Sequence, residues 1–204
     1  MIIRKKNFKI GTFHGTLKPV DGSKEAKLRN ALYLIGNLNL KITNTECIKI
    51  RLIGYEIPIG YRGERIDLFG YDNQADKKNP WIIELKAHDS TEKITDVVQQ
   101  ITEYGKQLPL YLNKIEKEFY EKFFIKLELT ANIKKMILAP REYYINQDKT
   151  TYPEMHDIYL CSIAKIKEVF TAKRIGANKK VTELTLDSKL SQFNEITLKI
   201  ENRR

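Results

Sequence analysis

An acid and a lysine lie two residues apart at the end of a strongly apolar run: residues 81–83 are Trp-Ile-Ile, and Glu84 and Lys86 follow. Side chains alternate across a β-strand, so these two groups are expected to project from one face. A second acid, Asp67, has apolar neighbours on both sides and precedes Glu84 with sixteen residues between them. Charge in a buried strand is costly unless it serves a purpose, and here it occurs on two predicted strands. An isolated E-x-K triplet would be a weaker signal, since alternating charges are common on exposed strand edges.

If the strands of Asp67 and Glu84 pair as a hairpin, the two carboxylates converge within reach of one cation. Mg²⁺ takes oxygen ligands, typically from one or two carboxylates, and keeps waters for a substrate phosphate; Mn²⁺ can substitute. Such an ion polarises a phosphoryl group and lowers the pKa of a bound water. The main-chain carbonyl of Leu85 would supply a further ligand. Lys86 would orient the attacking water or neutralise charge that develops in the transition state. The pattern therefore predicts metal-dependent hydrolysis of phosphodiesters.

The predicted helix after Lys86 carries two polar side chains, Gln100 and Tyr104, at a spacing that places them on one helix face. The same face holds Val97 and Ile101, which are typical core residues. Two interpretations stay open. Gln100 and Tyr104 are either an interior polar pair or side chains that take part in nucleic-acid binding.

Together these residues resemble the PD-(D/E)XK nuclease superfamily. Asp67 matches its first acid, Glu84 and Lys86 match the E-x-K half of the motif, and Gln100 and Tyr104 match the Q-x-x-x-Y motif of RecB-like members. The resemblance implies that Asp67 and Glu84 bind the metal and that Lys86 is catalytic. It also implies that Gln100 and Tyr104 contact DNA or brace the site. The motif here lacks a proline before Asp67, a common departure in the superfamily.

The resemblance extends to a helical acid and to a subgroup. Residues 65–68 and 83–86 are also similar to NucS-type endonucleases. Family members often add a metal-binding acid from their first helix, and Glu25 is the natural candidate here. Glu46 and Glu56 are the alternatives for that role.

Hydrophobic periodicity predicts the elements that would position these groups. A helix ending at Gly36 precedes strands at 47–57, 65–71 and 81–85. Thr91 is predicted to cap a second helix that breaks at Pro109 and resumes to about residue 124. Short apolar runs at 136–139 and 158–161 predict buried strands. A further helix at 162–170, a basic loop at 173–180 and two weak strands complete the chain.

The order helix, three strands, helix, strand, strand predicts an α/β fold with a mixed central sheet flanked by helices. The family resemblance narrows this to a restriction-endonuclease-like αβββαβ core. At 204 residues, the chain is expected to form a single nuclease domain, with its core at about 23–170. A short N-terminal strand region and a basic C-terminal extension would flank that core.

The charge balance favours a polyanionic partner. Lys and Arg number 36 against 26 Asp and Glu, a formal charge of +10, which favours binding to phosphates by release of counterions. DNA is the expected partner, with RNA as the alternative, although a solvated basic surface would have the same composition. For any single basic residue the solvated surface is the simpler explanation. The candidates for phosphate contacts are Arg62, Arg65, His88, Lys93 and Lys106.

Other sequence features indicate the cellular location, the role of the cysteines and the assembly. The N-terminus lacks a signal-peptide core and no run approaches a membrane span, so a cytoplasmic protein without membrane contact is expected. Cys47 and Cys161 match no zinc spacing and are predicted to be small core residues. Cutting both strands of a duplex would need two sites, so a homodimer is one possible assembly, and a partner protein that supplies targeting is the other.

Three alternatives to a DNA nuclease remain. A nucleic-acid-binding module could use the same scaffold without cleavage, or the enzyme could cut RNA. An unrelated α/β protein would place Asp67 and Glu84 far apart. The sequence contains no phosphate-binding P-loop, nucleophile elbow, zinc-type Cys/His cluster or dinucleotide fingerprint.

Overall fold

The computed structural model describes residues 9–10, 24–41, 46–59, 64–72, 78–147, 157–163, 170–174, 181–186 and 196–200. In these residues the helices are α1 (Lys24–Ile35), α2 (Ile94–Gln107), α3 (Leu112–Phe123) and α4 (Arg141–Ile145), with a 3-10 turn at Leu108–Leu110. None of them is long and apolar enough to cross a membrane. The strands are β1 (Lys9–Ile10), β2 (Asn37–Lys41), β3 (Cys47–Pro58), β4 (Arg65–Asp72), β5 (Asn79–Leu85), β6 (Lys134–Pro140), β7 (Ile158–Ile163), β8 (Phe170–Arg174), β9 (Val181–Leu186) and β10 (Ile196–Ile200).

Eight strands form one mixed sheet in the order β1-β3-β2-β10-β7-β6-β5-β4, and β3 also pairs with β4, so the sheet curls until it closes. β3, β4 and β5 pair antiparallel. β5, β6 and β7 pair parallel, because helical connections return the chain to the same end of the sheet. β8 and β9 form a separate antiparallel pair. The prediction of an α/β chain with a mixed sheet and flanking helices is confirmed.

Two apolar clusters lie on opposite faces of the sheet, as the alternation along β5 shows. Ile82 packs with the buried stripe of α2, whereas Ile83 and Leu85 pack with α1. Removal of this apolar surface from water is the main contribution that holds the helices on the sheet. The α2 stripe has the spacing expected of a helix with one buried face. Its members are Ile94, Val97, Ile101 and Tyr104.

The strands that the sequence predicts at 47–57, 65–71, 81–85, 136–139 and 158–161 are all present, within three residues at each end. The first helix and the helix that resumes to about residue 124 are confirmed as well. Two strands, β9 and β10, follow the basic stretch, but Lys173 and Arg174 belong to β8 and not to a loop. Residues 175–180 of that stretch lie outside the described residues.

One predicted element is wrong, and three described elements, β2, α4 and β8, were missed. The helix predicted at 162–170 is contradicted at both ends, because Ser162 and Ile163 finish β7 and Phe170 begins β8. Ser162 is buried and pairs with both neighbouring strands, and this ladder outweighs the local helical pattern. Of the missed elements, β2 starts directly after Gly36. Gly36 has φ 76°, a left-handed conformation that ends α1 and reverses the chain.

The start of α2 also differs from the prediction. Thr91 does not cap it; the helix begins at Ile94, and the Lys93 side chain makes no capping hydrogen bond. The Ile94 N–H donates instead to the Gln147 side chain, 2.9 Å away, from the segment after α4. A distant side chain thus replaces a local cap.

The two cysteines have different environments. Cys161 is buried in β7, as predicted, whereas Cys47 is exposed, so its assignment to the core is wrong. Cys47 opens β3, where its side chain lies on the solvent-facing side of an alternating strand.

Gly70 allows β3 and β4 to approach closely. A Cβ at this position would lie 2.6 Å from the main-chain oxygen of Arg51 and 3.1 Å from Ile50 Cγ2. We therefore expect Gly70→Ala to lower the free energy of unfolding by about 1–3 kcal/mol, the usual cost of overpacking. Urea denaturation measures the change. Gly105→Ala is the control, because its Cβ would meet the flexible Lys135 side chain at 3.2 Å. A Gly70→Ala protein as stable as wild type would contradict the close approach.

Candidate functional site

The ends of β4 and β5 place Asp67 beside Glu84. Leu68 pairs with Ile83 in antiparallel register. Asp67, one residue before Leu68, therefore lies opposite Glu84, one residue after Ile83. The main-chain N–H of Leu85 donates a hydrogen bond to Asp67 Oδ2 over 3.0 Å. The predicted hairpin pairing is therefore confirmed, and an arrangement with the two acids far apart is excluded.

Lys86 completes a buried group of charges. Its exposed fraction is 4%, the same as that of Glu84, and Asp67 is exposed by 8%. The ammonium lies 3.0 Å from Glu84 Oε1 and 2.9 Å from Glu92 Oε2. Burial alone would lower the pKa of Lys86, but the Glu84 charge and the hydrogen bonds to Glu92 and Glu84 outweigh burial and raise it. Lys86 is therefore a cation at neutral pH.

Glu84 is the member of this group whose negative charge is least favourable. Burial, followed by the nearby Asp67 carboxylate, raises the pKa of Glu84 to about 8, although Lys86 opposes the rise. Burial also raises the pKa of Asp67, against the Leu85 N–H and Arg29. Glu84 Oε2 is buried and has no hydrogen-bond partner among the described residues. A buried carboxylate oxygen without a donor is costly, so it is a natural place for a proton or a cation.

Arg29 links the first helix to these acids. Its guanidinium lies 3.2 Å from Asp67 Oδ1 and 2.9 Å from Glu56 Oε1. Glu56 also accepts a hydrogen bond from the exposed Arg65, over 3.2 Å. Glu56 has φ 46°, a left-handed conformation that is rare for a residue with a side chain. The first helix thus contributes a base as well as an acid.

Glu25, the predicted helical acid, lies near this group. Burial and then the Asp67 charge raise its pKa, and Lys86 and Glu92 also influence it. Among the described residues, no three Asp, Glu, His or Cys side chains converge closely enough to enclose a metal ion. Mg²⁺ usually takes only one or two carboxylates and keeps several waters. The pair Asp67 and Glu84, with the unpartnered oxygen of Glu84, fits that kind of site.

Glu92 lies in the loop before α2 and is held in place by α4 and the segment after it. The Tyr143 hydroxyl and the Gln147 side-chain amide both donate to the main-chain oxygen of Glu92, over 3.0 and 3.2 Å. Tyr143 is fully buried, so α4 braces the segment whose carboxylate meets Lys86. Five carboxyl groups therefore surround Arg29 and Lys86. We refer to them as the carboxyl cluster: Glu25, Glu56, Asp67, Glu84 and Glu92.

Gln100 and Tyr104 form a pair on α2. The Gln100 amide donates to the Tyr104 hydroxyl over 2.7 Å. The Tyr104 ring is buried in the apolar cluster beneath α2. Burial raises the pKa of Tyr104, and the charges of Glu84, Glu64 and Asp67 contribute in the same direction, so the hydroxyl lies on the side of the carboxyl cluster. Both interpretations of this pair remain open.

The predicted phosphate contacts have varied positions. Arg65 is exposed and pairs with Glu56. His88 is half-exposed and lies within 3.5 Å of Lys24, at the start of α1. Lys93 and Lys106 are exposed but flank opposite ends of α2, about 20 Å apart at 1.5 Å per residue. Lys106 pairs with Glu103. Arg62 lies outside the described residues.

Arg29 and Glu92 were missed from the sequence. Arg29 lies one helical turn after Glu25, between Leu28 and the buried Asn30. A base on the apolar side of an amphipathic helix was the available signal. Glu92 precedes α2 and carried no signal, because its role depends on α4.

Comparisons with protein-family models, curated proteins and solved structures find no significant match to this chain.

Proposed function

We propose that this protein is a metal-dependent nuclease that hydrolyses phosphodiester bonds in DNA. The observation that carries the proposal is the buried carboxylate of Glu84, which lies beside Asp67. Its Oε1 is 3.0 Å from the Lys86 ammonium, and its Oε2 has no hydrogen-bond partner among the described residues. The sequence resemblance to PD-(D/E)XK nucleases supports it. So does the order α1, β3, β4, β5, α2, β6, which is compatible with a restriction-endonuclease-like αβββαβ core with β2 inserted.

The charge balance of the site supports a bound cation. Among the described residues the carboxyl cluster has five acids and three contacting bases, Arg29, Arg65 and Lys86, so full ionisation would leave a formal excess of two negative charges. This local excess occurs in a chain whose formal charge is +10. Close carboxylates repel one another unless a proton or a cation lies between them. A divalent cation would remove the excess.

In the proposed site, Asp67, Glu84 and the Leu85 carbonyl would hold Mg²⁺ or Mn²⁺, with Glu25 as a further acid at its edge. The ion would polarise the phosphate and lower the pKa of an attacking water. The Lys86 ammonium has three N–H groups, and Glu84 and Glu92 take two of them. The third is available to hold the attacking water or a phosphate oxygen.

The proposed substrate and partners follow from charge and from the motifs. DNA would bind through phosphates, with Arg65, His88 and Lys93 on the described surface as candidate contacts and Arg62 and Lys106 as further ones. Gln100 and Tyr104 would brace the site or contact DNA. A cytoplasmic location, and either a homodimer or a targeting partner, are parts of the same proposal.

The test is cleavage of plasmid and single-stranded DNA with Mg²⁺ or Mn²⁺. We expect Lys86→Met to lower the rate by about 10²–10³-fold, the usual loss when a group that stabilises transition-state charge is removed. Lys135→Met is the matched control, because Lys135 is also largely buried and pairs with an acid, Asp157. Thermal unfolding of both variants separates lost chemistry from lost fold.

The outcomes distinguish the alternatives. Equal loss of activity in both lysine variants would contradict a catalytic Lys86. Binding that weakens steeply with salt, without any metal-dependent cleavage, would identify a non-cleaving nucleic-acid-binding module. Cleavage of RNA but not of DNA with the same sequence would make the enzyme a ribonuclease.

A further inference from the structure

Arg29 is the only described basic side chain that contacts Asp67 directly. Its guanidinium forms a fork between two acids, Asp67 and Glu56. One terminal nitrogen lies 3.2 Å from Asp67 Oδ1, and the other lies 2.9 Å from Glu56 Oε1. Its side chain is only 14% exposed. A guanidinium has fixed planar geometry, so its orientation between two acids also fixes where each carboxylate lies.

Glu56 is held for this contact by its main chain. The register pairs Tyr55 with Leu68 and Ile57 with Ile66, which places Glu56 across from Asp67. Its left-handed φ of 46° is unfavourable for a side chain with a Cβ, so the surrounding β3–β4 pairing must maintain it. Such strained conformations are concentrated at functional sites.

The two oxygens of Asp67 are each oriented by a donor. Arg29 contacts Oδ1, and the Leu85 N–H donates to Oδ2 over 3.0 Å. A carboxylate accepts about four hydrogen bonds, so lone pairs stay available for a cation. Metal-binding carboxylates are commonly held by such outer contacts, whose loss weakens metal affinity by about 10–100-fold.

We infer that Arg29, clamped by Glu56, is a positioning residue that orients Asp67 for the cation. This inference rests on the proposed function. It differs from a simple charge effect, because the Arg29 charge by itself would repel a metal ion. Removal of repulsion alone would strengthen metal binding, whereas loss of orientation weakens it.

The discriminating variant is Arg29→Lys, which keeps the charge and loses the fork. A lysine ammonium is a point charge and cannot hold Glu56 and Asp67 in the same geometry. In the full-length protein with EDTA, we expect hydrogen exchange of the Leu85 amide to accelerate about tenfold, as measured by NMR. The Lys86 amide donates to Leu138 O over 3.1 Å and is the internal control. With EDTA removed, Mn²⁺ affinity measured by calorimetry should fall at least about tenfold.

The results separate the inference from the proposed function. Unchanged Leu85 exchange, equal acceleration of both amides, or unchanged or tighter Mn²⁺ binding in the variant would each overturn the positioning role. A further outcome is faster Leu85 exchange in Arg29→Lys together with a wild-type protein that binds no Mn²⁺. That outcome would support the orientation of Asp67 by Arg29 but would overturn the metal-dependent function. If Arg29→Lys does not fold, Glu56→Gln tests the same clamp and should produce the same two changes.

Discussion

Glu84→Gln is expected to abolish metal-dependent cleavage and, at the same time, to stabilise the protein above neutral pH. Loss of a carboxylate ligand would remove several kcal/mol of transition-state stabilisation, more than about a thousandfold in rate. Stability changes in the opposite direction because glutamine resembles the protonated acid. It has the shape of glutamate but never carries the buried charge that makes Glu84 costly.

The direction of this stability change follows from the pKa of Glu84, which rises from 4.5 to about 8 on folding. Between these values the folded protein binds a proton that the unfolded chain has lost. Wild-type stability is therefore fully present below about pH 4.5 and falls as pH rises to about 8, by up to roughly 1.4 kcal/mol per pH unit. Glu84→Gln lacks this loss and should be a few kcal/mol more stable than wild type at pH 8.

Urea denaturation from pH 5 to pH 8.5 in EDTA measures this effect. Glu103→Gln is the matched control, since it makes the same acid-to-amide change on the exposed surface of α2. Wild-type stability that does not decline over this pH range, or a variant with the same slope as wild type, would contradict a buried Glu84 that is protonated on folding. The activity prediction is checked on the same protein samples.

Mg²⁺ is expected to bind more tightly as pH rises to about 8, and tight binding should stabilise the fold. A cation at Glu84 must displace the proton that the buried carboxyl holds below its pKa of about 8. The apparent dissociation constant should therefore fall by up to about tenfold per pH unit, or about a hundredfold between pH 6 and pH 8. Binding at a hundred times the dissociation constant would add about 2.7 kcal/mol to the free energy of unfolding.

Thermal unfolding with and without Mg²⁺ at pH 6, 7 and 8 tests this prediction. Asp72→Asn is the control, because Asp72 is also buried but lies at the other end of β4, bonded to the Trp81 indole N–H over 2.5 Å. Asp72→Asn should lower stability without changing the Mg²⁺ response. A response that is independent of pH, or that is retained in Glu84→Gln, would place the ion elsewhere.

The sequence predicted the parts of the site that depend on local order. Glu84 and Lys86 project together because a strand alternates, and Asp67 joins them because a hairpin pairs consecutive strands. Both relations act over short distances along the chain. For the same reason the long apolar strands β4, β5 and β6 were predicted with good boundaries.

Relations between distant segments were not predictable in this way. The Glu92 contact with Lys86 depends on Tyr143 and Gln147, about fifty residues further along. The same glutamine replaces the expected Thr91 cap of α2. Ser162 lies in a strand because β6 and β10 pair with it, although its own neighbours favour a helix. In each case a tertiary contact decides what the local sequence leaves open.

The closure of the sheet has a consequence for how the chain reaches its native state. β10 pairs in parallel with β2, and this contact joins residues 38 and 196. Contacts between such distant segments slow folding, because the entropy of a large loop is lost before the pairing compensates for it. During synthesis the hairpin that holds Asp67 and Glu84 emerges long before β10. The edge of β2 therefore stays open on the nascent chain, and an exposed strand edge is a site of aggregation until its partner arrives.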